Sequence, residues 1–288
     1  MEDALEHTKD IFGKLPFCSL KIPGCPHQAF YVLSLFHQQT GREENRKSRK
    51  PEVWLSRVQS QNAGRERKMR KDLTELVFIL DKSGSMQGLE ADTVGGYNSM
   101  LEKQKKEPGS ANVTTVLFSS DISLLHDRVP IEEVKALTDR DYRVGGMTAL
   151  LDAIGDTVNR MAAVQKALTE DQKAGKVIVV IITDGYENSS REYSYDKVKG
   201  LLERLKAERD WEFLFLGANM DAVKEARRFG IGADRASSYV NDSKGIARSF
   251  GAVGGAVSSL RNAPGGSAVG AEWKRELEKD VKERGGDS

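Results

Sequence analysis

Five residues in this chain have the types and the spacing to hold a hard cation. Asp81, Ser83 and Ser85 form a D-x-S-x-S pattern at the end of the apolar run 76–80. Alternate side chains of an extended segment point the same way, so three oxygens can converge on one point. Gly84 lets the backbone bend between them. Thr148 follows Gly145, Gly146 and Met147, and Asp184 closes a second apolar run, 177–182. Oxygen-only ligands suit Mg²⁺ or Mn²⁺. Each residue alone has a plainer reading. Ser83-Gly84-Ser85 and Thr148 read as helix caps, and Asp184-Gly185 as a turn. Their joint occurrence at two strand ends and one helix-opening loop favours the metal.

The positioning elements follow from periodicity. Runs 76–80 and 177–182 are apolar without alternation, as in strands of a parallel sheet covered on both faces. Their polar endings then fall at the carboxyl ends of strands, where open α/β sheets bind ligands. A helix is predicted over 89–105, with Val94, Tyr97 and Leu101 on one face. Gly95-Gly96 inside it predicts close helix–sheet packing, and Glu107-Pro108-Gly109 ends it. Segments 113–118 and 122–126 should form an antiparallel hairpin across Ser119-Ser120-Asp121. A short helix or turn follows at 131–137. The Gly145-Gly146 loop opens a helix with Leu151, Ile154, Val158 and Met161 inward.

Further on, a helix over 195–206 buries Val198, Leu201, Leu202 and Leu205. A strand spans 211–216. Asn219 is the expected cap of a short helix at 221–229, closed by Gly230. Residues 238–240 read as an edge strand. Asp242 or Ser243 caps a final helix with Ile246, Phe250, Val253, Val257 and Leu260 inward. The expected fold is α/β: a Rossmann-like, doubly wound, mostly parallel sheet with one antiparallel strand and helices on both faces. After Pro264-Gly265-Gly266, a narrow stripe of Trp273, Leu277 and Val281 marks a short helix that docks or stays solvated.

Composition narrows the chemistry. Of 288 residues, 39% are hydrophobic and 30% charged, with a net charge of +1, so no global field calls for nucleic acid. Cys18 and Cys25 are the two cysteines, and His126 is the only histidine after residue 68. A Cys–His nucleophile, a zinc cluster and a disulfide framework are therefore excluded beyond that point. No phosphate loop or G-x-S-x-G elbow is present. The apolar run 29–36 is too short to span a bilayer, so a cytoplasmic protein is expected.

The full set, Asp81, Ser83 and Ser85, then Thr148, then Asp184, resembles the metal-ion-dependent adhesion site of von Willebrand factor A domains. The resemblance covers about residues 70 to 260. It implies that Ser83, Ser85 and Thr148 bind Mg²⁺ or Mn²⁺ through their hydroxyls, with Asp81 and Asp184 binding directly or through water. It also implies a non-catalytic module that binds a partner protein, whose Asp or Glu completes the metal shell. No nucleic acid or membrane is expected as partner. The similarity extends to stand-alone intracellular bacterial members, which implies a stress or assembly role. The alternatives are a metal-assisted phosphatase or hydrolase, and an RNA–protein scaffold. Lys82, Gln87, Tyr186, Glu187, Asn188 and Arg191 would flank such a site, selecting a partner or merely solvated.

Three segments are expected: an extension over 1–68, the main domain over 69–260, and a linker with a short helix or tail over 261–288. The extension carries +4 and the remainder −3. It reads as weakly ordered, with a Cys18, Cys25 and His27 metal group as the sharper alternative. A third reading makes Met69 the native start.

Overall fold

A computed structural model describes residues 70–208, 211–263 and 270–284. The expectations for residues 1–68, and for Met69 as the start, lie outside the described residues.

The described chain opens with β1 (Arg70–Asp81), α1 (Glu90–Gln104), β2 (Ser110–Phe118) and β3 (Ile122–Pro130). It continues through α2 (Leu150–Ala167), β4 (Ala174–Thr183), α3 (Tyr195–Glu208) and β5 (Trp211–Ala218). It ends with α4 (Ala222–Arg228), β6 (Ala236–Tyr239), α5 (Ser243–Asn262) and α6 (Arg275–Arg284). The six strands make one sheet in the order β3-β2-β1-β4-β5-β6. Every pairing is parallel except β2 with β3. The doubly wound, mostly parallel sheet with one antiparallel strand is thus the observed fold.

The apolar strands earn their place by being covered on both sides. Leu76, Phe78 and Leu80 of β1 pack with α1, α5 and the Leu277 side chain of α6. Val77 and Ile79 face the other way, onto α2, α3 and α4. All five are at most 1% exposed. The run 76–80 holds no polar residue, and Asp81, itself buried, is the first to follow it.

The predicted helical faces of α2, α3 and α5 are all buried. On α1, Tyr97 and Leu101 are buried while Val94 is only half-buried. The glycine pair differs from expectation. Gly96 faces the Phe250 ring of α5, and a Cβ there would sit 2.5 Å from that ring, whereas Gly95 faces open space. The close approach is helix against helix, and a single glycine makes it. The α4 cap also differs: Asp221, not Asn219, accepts from the Lys224 N–H at 2.9 Å. Asn219 instead takes a left-handed φ of 54°. The α5 cap is Asp242, accepting from Gly245 N–H at 2.7 Å.

The C-terminal helix docks on the domain. Leu277 is buried, and Trp273 donates its indole N–H to the Asp234 carbonyl. The Lys274 ammonium donates to the carbonyls of Ala233 and Ala236, at 2.7 and 3.0 Å. Asp280, buried, pairs with Arg248 of α5 and with Arg284, which also bonds Asp242. These ties lie against β6, the strand at one edge of the sheet. Covering an edge in this way blocks stray strand pairing.

Candidate metal centre

The chain reverses its winding direction between β1 and β4. From β1 it runs outward to β2 and β3, then crosses back to β4 on the other side. A crevice opens at the carboxyl ends of two such strands. Asp81 ends β1 and Asp184 follows the last residue of β4.

Backbone hydrogen bonds stitch the loops that meet there. Lys82 donates to the Phe118 carbonyl at 2.7 Å, Gly84 to Gly146 at 3.0 Å, and Gly145 to Lys82 at 2.9 Å. Gly146 has a φ of 80°, and a Cβ there would come within 2.9 Å of the Ser120 Oγ. Only glycine fits that position comfortably. The Thr148 loop is thereby fixed against the β1 loop.

The structure brings the five predicted residues to this one place. The Ser83 and Ser85 hydroxyls lie 3.0 Å apart, and Ser85 Oγ donates to Asp184 Oδ1 at 2.5 Å. Asp81 Oδ1 accepts from the Ser83 N–H at 2.7 Å. Thr148 Oγ1 and Ser85 Oγ both border Gly185, where a Cβ would meet them at 3.5 and 3.6 Å. Asp81, Ser83, Thr148 and Asp184 are buried, while Ser85 is exposed. The cluster therefore opens to solvent on the Ser85 side. None of the three hydroxyls serves as a helix cap. Ser83 makes no side-chain cap bond, and the positions preceding α1 and α2 are Leu89 and Ala149.

Electrostatics set the site apart from an ordinary buried polar cluster. The partners of the two carboxylates are hydroxyls, a backbone N–H and a carboxamide; none is a cation. Burial pushes the Asp81 carboxyl up to about 6, against the pull of its bonds from Thr183 and Ser83. Burial also raises Asp184. Two buried acids side by side without a counter-charge are unfavourable when ionised. A divalent ion would supply that charge. Among the described residues, no cluster of three or more His, Cys, Asp or Glu could hold a metal, so hydroxyls must complete any ligand set here. The donors fit a hard cation.

Sequence reasoning missed how these five are oriented, although it named Asn188 at the rim and Asn219 as a helix cap. Thr183 donates to Asp81 Oδ2 at 2.6 Å. Asn241 and Asn219 donate to Asp184, at its Oδ2 (3.2 Å) and its carbonyl (3.3 Å). The Tyr142 hydroxyl donates to the Asp81 carbonyl. Asn188 clamps Thr148 from both sides: its Oδ1 accepts from the Thr148 N–H at 2.8 Å, and its own N–H donates to the Thr148 carbonyl at 3.0 Å. Thr183 carried a signal, as a polar residue closing an apolar strand. Tyr142 and Asn241 carried none. Among the expected rim residues, Lys82 pairs with Asp121, and Glu187 binds the N–H groups of Leu151, Ser189 and Ser190. Tyr186 is exposed, at 49%, as are Gln87, Asn188 and Arg191.

Comparison with solved structures returns distant likenesses. Proximal thread matrix protein 1 from the mussel byssus has 12% identity over 66% of this chain and 47% of that one, with a TM-score of 0.46. The manganese-loaded TRAP protein of Plasmodium vivax has 16% identity, 63% and 74% coverage, and a TM-score of 0.44. The ArnB paralog VWA2 from Sulfolobus acidocaldarius has 18% identity, 63% and 45% coverage, and a TM-score of 0.42. This chain thus spans about half the length of the mussel protein. These likenesses are too remote to inform on ligand or partner. No curated protein matches the sequence. The family model for the von Willebrand factor type A domain matches residues 75–250, from the middle of β1 into α5. That match takes in both site strands and more than half of the chain, and the protein belongs to the von Willebrand factor type A domain family.

Proposed function

We propose that this protein is a divalent-cation-dependent protein-binding module. Ser83, Ser85 and Thr148 would hold Mg²⁺ or Mn²⁺ through their hydroxyls, with Asp81 and Asp184 binding directly or through water. The ion supplies a positive centre that a partner's Asp or Glu completes. Domains of this family are commonly metal-dependent interaction modules. The observation that carries the reading is the pair of buried acids whose partners include no cation, beside hydroxyls that cap no helix.

The chain's own groups have distinct tasks. Thr183 and the Ser83 N–H fix the Asp81 carboxylate, while Asn241 fixes Asp184. Asn188 sets Thr148. Outer groups of this kind orient ligands and tune affinity. Ser85, on the exposed side, marks the approach for the partner's carboxylate. We assign no catalytic step. His126, the only histidine among the described residues, is engaged with Thr115 between β3 and β2. Among the described residues no helix is long and apolar enough to cross a membrane. We place the main domain at 69–260 and the protein in the cytoplasm.

The test is calorimetric titration of the full chain with Mg²⁺ and Mn²⁺, beside Asp184→Ala and Ser85→Ala. Saturable binding that both variants lose while keeping wild-type circular dichroism is the expected result. Binding unchanged in both would remove the metal from this site.

A further inference from the structure

Beside the candidate metal centre lies a cleft of about 570 Å³. Its wall against the centre consists of two carboxamides. Asn219 donates to the Asp184 carbonyl and Asn241 to Asp184 Oδ2, so one side chain separates the cleft from that carboxylate. Its apolar lining includes the Tyr186 ring, Met220 of the β5–α4 loop, and Val281 of α6. Val281 lies beyond the residues 75–250 that the family model matches. The docked C-terminal helix therefore builds one wall of the cleft.

The lining states what kind of group it takes. Among the described residues, Asp221 is the only carboxylate in its lining, and no Lys, Arg or His lines it. Asp221 is exposed, and its Oδ1 accepts from the Lys224 N–H. It takes part in no ion pair among the described residues. The exposed Asn219 carboxamide adds an acceptor oxygen, whereas the Asn241 oxygen is buried. A carboxylate entering here would meet like charge. A side chain with an apolar stem and a cationic end fits both halves of the lining, since Lys and Arg bury their stems while keeping their charge wet. Tyr186, 49% exposed, offers a ring face to that cation.

Resting on the metal-dependent reading above, we propose that this cleft is the selectivity pocket for the partner. It accepts a Lys or Arg side chain close in sequence to the partner's metal-binding acid. Alternate residues of an extended segment are about 7 Å apart on one face, which suits two sites separated by a single side chain.

The probe is a set of amidated, fluorophore-labelled hexapeptides with one fixed Asp. Each neighbouring position is set in turn to Arg, Lys, Ala or Glu, and binding to the full chain is read by fluorescence polarisation in Mg²⁺ and in chelator. The expected result is Mg²⁺-dependent binding with a roughly three- to ten-fold preference for Arg or Lys over Glu at one position. Asp221→Asn retains an oxygen for the α4 cap and should erase most of that preference. Val281→Trp, filling the cleft, should erase it while leaving Mg²⁺-dependent Asp binding; thermal melting reports whether that variant folds. Mg²⁺-dependent binding with no positional preference, or with a preference that Asp221→Asn leaves intact, overturns the pocket and spares the metal reading. If no peptide binds in Mg²⁺, the partner-carboxylate reading fails, and the pocket fails with it.

Discussion

Replacing Asp81 by Asn should stabilise the metal-free protein at neutral pH while abolishing its response to Mg²⁺. In the fold, burial holds the Asp81 carboxyl at about 6 against an ordinary 3.8. The folded state therefore binds this proton more tightly than the unfolded chain does. The resulting stability is fully present below pH 4 and is lost as pH rises toward 6. At about 1.4 kcal/mol per tenfold, the ionised carboxylate costs the fold about 3 kcal/mol by pH 7. Asn removes that penalty. Its oxygen can still accept from the Ser83 N–H. Thr183, which now donates to Asp81 Oδ2, can turn its proton to the Gly185 carbonyl 3.0 Å away and accept from the new amide. Losing two bonds to a charged acceptor returns part of the gain. The net expectation is about 1–3 kcal/mol of added stability, or about 3–10 °C in melting temperature. Urea unfolding in chelator, at pH 7.5 and pH 5, measures it. The advantage of the variant should shrink by about 1.4 kcal/mol at pH 5, where the wild-type carboxyl is largely protonated in the fold. Adding Mg²⁺ at pH 7.5 should stabilise only the wild type. An Asn variant less stable than wild type in chelator at pH 7.5, or a gap independent of pH, would refute the argument that this acid is held against its solvation.

Three further outcomes follow from the packing. Gly95→Ala, facing open space, should gain about 0.5–1 kcal/mol in urea unfolding, whereas Gly96→Ala should lose about 1–2 kcal/mol. The Phe250 ring that it would strike is buried and packed edge-on against Tyr97, so moving it costs that contact; equal gains at both positions would contradict this. Glu75 is fully buried at the other end of the sheet, with Arg128, Asn112 and Gln165 on one oxygen. Arg128→Ala should cost about 3 kcal/mol and leave Mg²⁺ affinity unchanged, because it strands a charge far from the site. Asn188→Leu should weaken Mg²⁺ binding about tenfold by calorimetry, while Asn188→Asp, which keeps the acceptor for the Thr148 N–H, should stay near wild type.

The line between what was legible in the residues and what was not follows the range of the forces involved. The two strands apolar on both faces, and the helical stripes of α2, α3 and α5, could be read locally, because burial imposes its period on neighbouring residues. The five oxygen-bearing residues were legible for the same reason: each breaks an apolar pattern at an element's end. Local reading faltered where a residue's partner lies far along the chain. Gly96 could be read as a close approach, but only the crossing of α1 and α5 shows that Phe250 is what approaches. Asn219 looks like a helix cap in its own loop, yet its amide serves Asp184, 35 residues away. Tyr142 reaches Asp81 across 61 residues and Asn241 reaches Asp184 across 57, with nothing in their surroundings to announce it. The stripe of Trp273, Leu277 and Val281 fixed a helix but not its resting place. That was decided by Asp280 and Lys274, whose charges and donors are satisfied only against α5 and the edge of β6. Sequence alone determined which oxygens are available to a cation. The crossover between β1 and β4, and the helix that closes the edge, determined that they meet and what stands beside them. Hydrophobic periodicity is written residue by residue, whereas hydrogen-bond partners are chosen only once the sheet has set its register.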